Sequence, residues 1–272
     1  QEAMLKAAGV DPAVVAQAGM QNMAFAQQMM QEAMDGTLGK GLSSSDAMAQ
    51  MMEAFGDDGW TINRSETGKL DAEQLRLLAF GAPLLVYNDE KVDSLADDED
   101  VETIKCTLKD WWNVTDREST VDIVKWLLEE GHHAEADEAL AEIHKRRIEN
   151  ISQEERCDEE SKMGDVCLIM ESMLENGWCP KGQMPDSVIA WDLVRVVNLG
   201  RWAYLCGYVN EDEMWQIMQV AADIALEHFS SWEEYGRSFI MGRGVWHFFF
   251  FKQKTAYEIV ELLPESEESP WK

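Results

Sequence analysis

Hydrophobic positions recur at helical spacing through most of the chain, and the two-residue alternation of a half-buried strand is almost absent. Asp71 precedes a leucine-rich stretch that is predicted to be a helix over 72–86. The acidic run before Val101 is predicted to be the N-terminus of a helix that ends at Trp112. Three further helices are predicted from capping boxes, in which a Ser or Thr is followed three positions later by Glu. They start at Thr115/Glu118, Ser152/Glu155 and Ser230/Glu233. The first is predicted to run through residue 127, the second through residue 173 and the third through residue 239. The pattern is that of an all-α fold.

The segment from Val188 to Val209 is hydrophobic nearly all round, which is typical of a helix buried in the middle of a compact multi-helix domain. Polar residues interrupt it at every third position, as Asp192, Arg195, Asn198 and Arg201. Neighbours three apart can touch, but at about 100° per residue the interval from Asp192 to Arg201 turns the helix by half a revolution. The two ends of the series are therefore expected to face opposite sides of the helix.

Charged side chains in such a helix need partners, because burial of an unpaired charge is costly. Two arrangements are open. Asp192 could pair with Arg195, and Arg201 with a carboxylate such as Glu213, so that both ion pairs would be structural. Alternatively, Arg195 and Arg201 could line an anion-binding pocket, which would require the two guanidiniums to converge on a cavity.

Further polar residues lie between Ser230 and Trp246. Together with those of the central helix they form a candidate ligand-binding or structural set, here called the polar cluster: Asp192, Arg195, Asn198, Arg201, Tyr235, Ser238 and Arg243. Ser238 and His228 could form a hydrolase pair, but no nucleophile elbow surrounds the serine and no acid is specified to orient the histidine. No catalytic residue is therefore predicted.

Two Glu-x-x-His pairs, Glu129 with His132 and Glu130 with His133, have the spacing used in di-iron bundles. Such a site needs two helices of this kind and two more glutamates on apolar faces, whereas these pairs lie at a helix end by Gly131 and are expected to be solvated. The phosphate-binding motifs GxGxxG and GxxxxGK[ST] are absent from the sequence. Neither a metal nor a cofactor is predicted.

Residues 1–60 differ from the rest of the chain. They are rich in Met, Gln and Ala, and Met29, Met30 and Met34 belong to one apolar stripe at helical spacing. This segment is interpreted as a helical arm and linker that precedes a helical domain at 61–272. The arm could offer an adaptable surface to a partner helix, or it could be a loosely packed helical extension.

The composition narrows the possible partners. The 272-residue chain is 46% hydrophobic and 28% charged, with 52 acidic against 23 basic side chains and a formal charge of -29. This acidic excess argues against binding nucleic acid or anionic membranes, which require a basic face, and favours a basic protein partner. No run of about 18 uncharged apolar residues is present. Five cysteines without a CxxC pair indicate a reducing cytoplasm.

Several spaced motifs resemble those of the bacterial DUF1266 family, a domain of unknown function. The resemblance rests on Leu108-Lys109-Asp110-Trp111-Trp112, Trp126-Leu127-Leu128-Glu129-Glu130, Trp191-Asp192-Leu193-Val194-Arg195, Arg201-Trp202, Ser231-Trp232-Glu233 and Tyr235-Gly236-Arg237-Ser238. It covers roughly residues 70–272. The resemblance implies a mostly helical, cytoplasmic, bacterial protein, and it brings no assigned reaction, ligand or catalytic residue.

The predicted function is that of a non-enzymatic protein-interaction or regulatory module. The prediction rests on the acidic surface, the Met-rich arm and the lack of a complete catalytic constellation. The alternative is an enzyme or small-ligand binder whose buried Arg and Asp side chains hold an anionic substrate. Convergence of Arg195, Arg201 and Arg243 on one cavity would favour this alternative, whereas burial of Arg195 and Arg201 against one carboxylate each would remove its support.

Overall fold

The computed structural model describes residues 62–96, 100–156, 158 and 161–246, which form helices joined by loops, with no strand among them. The helices are α1 (Ala72–Ala79), α2 (Ala82–Tyr87), α3 (Val101–Trp112), α4 (Arg117–Glu129), α5 (His133–Arg146), α6 (Gln153–Arg156), α7 (Lys162–Glu175), α8 (Ile189–Leu205), α9 (Glu211–His228) and α10 (Trp232–Trp246). The all-α prediction is confirmed. The Met-rich arm predicted over 1–60, with its boundary to the following domain, lies outside the described residues.

Helix α8 is the buried centre of this fold. It packs against α4, α9 and α10, and also contacts α2, α3 and α5. Every side chain from Ile189 to Arg201 is buried, because neighbouring helices cover the helix on all sides. The predicted central helix is therefore confirmed, and it ends at Leu205, shortly before Gly207, whose positive φ of 74° cannot continue an α-helix. No helix in the described part of the chain combines the length and apolarity needed to cross a bilayer.

Helices α8 and α10 approach each other closely at Gly242. A Cβ atom at this position would lie 2.6 Å from Cβ of Trp191 and 3.0 Å from the carbonyl oxygen of Val188. Glycine is therefore required by the packing rather than by the backbone conformation. The close approach brings polar side chains of α10 within reach of the start of α8.

Two helix starts lie one residue after their predicted positions. The N-cap of α4 is Asp116, whose carboxylate accepts from the backbone N–H of Ser119 at 2.9 Å. At α10, Oγ of Ser231 accepts from the backbone N–H of Glu234 at 3.2 Å. In both places two adjacent residues are able to cap a helix, so the local pattern alone does not choose between them.

Two predicted helices are wrong in length. The capping box of Ser152 and Glu155 forms as predicted, but the helix that it opens, α6, ends at Arg156. The helix predicted over 72–86 is divided into α1 and α2 by a break at residues 80–81. The carbonyls at this break accept hydrogen bonds from α8 and α10, so distant partners stabilise the interruption.

Candidate functional site

The polar cluster is distributed around α8 and α10 and does not form one site. Its seven members contact several separate parts of the surrounding helices and loops, and none of them lines the pocket described below. The contacts lie on opposite sides of α8, at the break between α1 and α2, and along α10. Each group joins segments that are far apart in the sequence.

Asp192 and Arg195 form the ion pair predicted from their spacing, and His133 of α5 joins them. Asp192 is fully buried, and its Oδ1 accepts from the guanidinium of Arg195. Its Oδ2 accepts from the backbone N–H of His133 at 2.8 Å and lies 2.7 Å from the imidazole Nδ1. The guanidinium also lies over the rings of Trp191 and Trp112, at 4.7 and 5.7 Å from their centroids. These contacts attach α8 to α3 and α5.

The expectation that His133 is solvated is wrong, because its side chain is only 12% exposed. The preceding Gly131 has a φ of 48°, a left-handed conformation that turns the chain so that α5 begins against α8. Burial lowers the pKa of His133, and the nearby guanidinium of Arg195 acts in the same direction, although Asp137 opposes it. The neutral imidazole therefore donates its Nδ1–H to Asp192, and the pair has a structural role.

Arg201 lies on the other side of α8 and binds the loop between α2 and α3. Its guanidinium is fully buried and forms an ion pair with Glu90. It also donates to the carbonyl oxygens of Leu95 at 3.0 Å and Ala96 at 3.1 Å. The suggested partner Glu213 pairs instead with Arg117, at 2.6 Å. Arg195 and Arg201 thus each meet a carboxylate on opposite sides of α8, and they do not converge on one anion.

Asn198 and Tyr235 bind the break between α1 and α2. The side-chain amide of Asn198 donates to the carbonyl oxygen of Gly81 at 3.0 Å, and the hydroxyl of Tyr235 donates to that of Phe80 at 2.8 Å. Complete burial raises the pKa of Tyr235 well above its ordinary value, so the phenol remains a neutral donor. The two side chains thereby connect the break between α1 and α2 to α8 and α10.

The last two members of the polar cluster also join helices. Oγ of Ser238 accepts from the backbone N–H of Ala190 at 3.2 Å, at the start of α8. The guanidinium of Arg243 lies 3.9 Å from the ring centroid of Tyr87 in α2, a cation–π arrangement. Burial lowers the pKa of Arg243, and the interaction with Tyr87 opposes that effect.

A cleft of about 490 Å³, here called the Arg237 pocket, lies between the loop before α8, the end of α9 and the start of α10. This volume is within the range of small-molecule binding sites. Polar and charged side chains make up much of the lining, which consists of Gly182, Gln183, Met184, Pro185, Asp186, Ser187, His228, Phe229, Glu234 and Arg237. In the described part of the chain, no three His, Cys, Asp or Glu side chains are grouped so that they could hold a metal ion.

Arg237 distinguishes this cleft from an ordinary surface depression. The residue is only 8% exposed, and its buried Nε–H has no hydrogen-bond partner among the described residues. Glu234 lies one turn earlier on α10, but its carboxylate accepts from the backbone N–H and the hydroxyl of Ser230, both at 2.7 Å. These bonds, led by the one from the backbone, lower the pKa of Glu234, with a further contribution from the charge of Arg237. The carboxylate is thus ionised without forming a close ion pair with Arg237.

Asp137 of α5 fixes the loop wall of the pocket. Its carboxylate accepts from the hydroxyl of Ser187 at 2.6 Å and from the backbone N–H of Val188 at 2.7 Å. Burial raises the pKa of Asp137, whereas these two hydrogen bonds and the nearby imidazoles of His133 and His228 oppose the shift. The hydroxyl of Ser187 is therefore directed at a carboxylate that anchors the loop at the start of α8.

Sequence reasoning did not select Arg237, although the residue lies within a motif on which the family resemblance rests. The available signal was the spacing of Glu234 and Arg237 at i and i+3, which is also common in exposed surface pairs. The space beside Arg237 forms where the loop at 182–187 and the end of α9 meet α10, which the local sequence does not reveal. Asp137 was missed, and His133 was wrongly expected to be solvated, because their partners are more than 45 residues away.

The comparisons with known proteins identify a family without an assigned activity. The family model described as a protein of unknown function, DUF1266, matches residues 107–272, which is more than half of the chain. The match begins later than residue 70, so α1, α2 and the first turns of α3 precede it, while the Arg237 pocket lies within it. No curated protein and no solved structure matches the chain. The chain therefore belongs to the DUF1266 family.

Proposed function

We propose that this chain is a non-enzymatic regulatory module that binds a small anionic ligand in the Arg237 pocket. The observation that carries the proposal is Arg237, a buried cation that lines a cleft of ligand size and whose Nε–H has no hydrogen-bond partner among the described residues. A buried cation with an unpaired donor destabilises a folded protein, and an anion that binds the guanidinium would offset this cost. The planar guanidinium also matches carboxylate and phosphate oxygens in a bidentate geometry.

The pocket supports binding rather than catalysis. Nucleophilic catalysis by a serine requires its hydroxyl to be within reach of a base that is itself oriented by a third group. The pocket serine, Ser187, donates its hydroxyl to Asp137, and the same carboxylate binds the backbone N–H of Val188. The hydroxyl of Ser187, the carboxylate of Asp137 and the backbone N–H of Val188 therefore serve together to anchor the start of α8. A module that binds a ligand without transforming it fits these contacts.

Substitution of Arg237 tests the proposal. We expect the melting temperature of the full chain to rise with the concentration of at least one ligand that carries a carboxylate or phosphate group, among acetate, inorganic phosphate and L-amino acids, at constant ionic strength. In Arg237→Met the affinity should fall by about tenfold or more, because a charge-assisted hydrogen bond is lost.

Arg76→Met is the matched control, because Arg76 is paired with Glu73 on the surface of α1 and lies outside the pocket. This variant should bind the anion as the unsubstituted chain does. The proposal is wrong if Arg237→Met retains the full ligand-dependent shift, or if none of the probes stabilises the unsubstituted chain.

A second candidate function, docking of a basic protein, is favoured by Trp111 near the end of α3. Its side chain is 83% exposed, which is exceptional for an indole and leaves a large apolar surface in water. Tryptophan is among the residues that most often anchor protein interfaces. The formal charge of -29 would attract a partner of opposite charge and make the association sensitive to salt.

Trp111→Ala tests this docking in a pull-down from bacterial lysate at low and high salt. A basic protein retained at low salt should be lost from Trp111→Ala and from the unsubstituted chain at high salt. Val220→Ala is the matched control, since Val220 is 44% exposed on α9 and should not affect retention. Equal retention by Trp111→Ala would exclude this surface as the docking site.

A further inference from the structure

The charges around the Arg237 pocket are of both signs. Arg237 supplies a buried cation, whereas Glu234 and Asp186 place two carboxylates in the same lining. The Asp186 side chain is exposed and lies 3.0 Å from Nδ1 of His144, while Glu234 is held by Ser230. The pocket is therefore lined by a guanidinium and by at least one ionised carboxylate, which the same small ligand could contact.

This mixture discriminates between classes of anion. A phosphate dianion at Arg237 would be repelled by the carboxylate of Glu234, and like charges held close together are costly at a partly buried site. A single carboxylate carries less charge and matches the fork of the guanidinium. A positively charged group attached to that carboxylate would in addition be attracted to Glu234, three residues before Arg237 on the same face of α10.

The remaining walls are partly apolar. Met184, Pro185 and Phe229 line the cleft beside its charged residues. At Gly182, which has a φ of 87°, a Cβ would meet no atom within 4 Å, so the loop leaves open space there. A ligand with an aliphatic or aromatic substituent would remove apolar surface from water against these walls.

We infer that the Arg237 pocket binds an α-amino acid with an apolar side chain, with its carboxylate on Arg237 and its ammonium group facing Glu234. The inference rests on the proposed function, that the pocket binds a small anion, and extends it by naming the ligand class. A ligand with only a carboxylate, or with only an ammonium group, would pair with just one of the two charged residues, Arg237 and Glu234. A pocket that binds both ends of a zwitterion would also discriminate against the simple carboxylates and amines present in a cell.

Direct binding measurements on the full chain test the inference with L-leucine, L-methionine and L-phenylalanine. Two analogues of leucine separate its charged groups: 4-methylpentanoate lacks the ammonium group, and 3-methylbutylamine lacks the carboxylate. We expect at least one of the amino acids to bind. Each of the two analogues should bind at least about tenfold more weakly than L-leucine, since each lacks one charge-assisted contact. Inorganic phosphate should bind more weakly than the amino acids.

Substitutions assign each end of the ligand to one residue. Glu234→Gln should weaken L-leucine binding and leave 4-methylpentanoate unchanged or slightly tighter, while Arg237→Met should weaken both. Gln at 234 retains an oxygen that can accept from Ser230, so the start of α10 should be preserved. Glu233→Gln is the matched control, because Glu233 is exposed, adjacent in sequence and outside the pocket lining. Circular dichroism and the unfolding midpoint establish that each variant is folded.

The outcomes separate this inference from the proposed function. If acetate, phosphate or 4-methylpentanoate binds as tightly as the amino acids and depends on Arg237, the pocket is a simple anion site and the zwitterion inference is overturned. If an amino acid binds but neither Glu234→Gln nor Arg237→Met weakens it, the inference is also overturned. If no probe binds, both the inference and the proposed function fail.

Discussion

Arg201→Met is expected to lower the free energy of unfolding by about 3–5 kcal/mol, the range observed when one partner of a buried ion pair is removed. The fully buried guanidinium binds the carboxylate of Glu90 and two loop carbonyls, those of Leu95 and Ala96. Methionine replaces the aliphatic part of the arginine side chain but has no donor, so all three acceptors would lose a hydrogen bond. The carboxylate of Glu90, itself nearly buried, would lose its compensating charge.

Urea unfolding of the full chain, followed by tryptophan fluorescence and circular dichroism, measures this loss. An m-value equal to that of the unsubstituted chain would show that both proteins unfold in the same cooperative transition. Arg117→Met is the matched control, because Arg117 also pairs with a glutamate, Glu213, but is largely exposed, and its loss should be much smaller. If Arg201→Met does not fold, Arg201→Lys retains the charge and should have an intermediate stability. If Arg201→Met and Arg117→Met lowered the free energy of unfolding equally, the structural role assigned to Arg201 would be contradicted.

Asp192→Asn is expected to have an effect of similar size, about 3–5 kcal/mol, on the opposite side of α8. The substitution nearly preserves volume but leaves the buried guanidinium of Arg195 without its counter-ion. Burial lowers the pKa of Arg195 to about 9, so this side chain is still charged at neutral pH. The imidazole of His133 would also exchange an ionised acceptor for a neutral amide.

A double-mutant cycle with Arg195→Met isolates the interaction between the two side chains. The doubly substituted chain should be more stable than the sum of the single losses predicts, because neither charge is then buried alone. Asp165→Asn is the control, since Asp165 pairs with Lys162 at the same i,i+3 spacing in α7 but is partly exposed. This substitution should lower the free energy of unfolding by less than about 1 kcal/mol. Additive losses at 192 and 195 would show that the pair is not coupled.

The fold class and the central helix could be predicted because both depend on local patterns. Helical spacing, the scarcity of strand alternation and the all-round hydrophobicity of residues 188–209 are properties of short windows. The ion pair of Asp192 with Arg195 could be predicted for the same reason, since both side chains lie on one helix and one turn apart. Helix lengths were less accurate, because the break between α1 and α2 depends on hydrogen bonds from Asn198 and Tyr235.

The partners of the polar cluster and the candidate site depended on the tertiary structure. The sequence suggested Glu213 for Arg201, but the folded chain brings Glu90 to that guanidinium, and it buries His133 where solvation was expected. The Arg237 pocket requires a loop, the end of α9 and the start of α10 to meet. The sequence by itself determined the all-α fold class and which helix is central, because those properties arise within a few turns of chain. Only packing decided which polar groups are buried together and which of them line a cleft, because such partners are separated by tens of residues and meet only when the helices assemble.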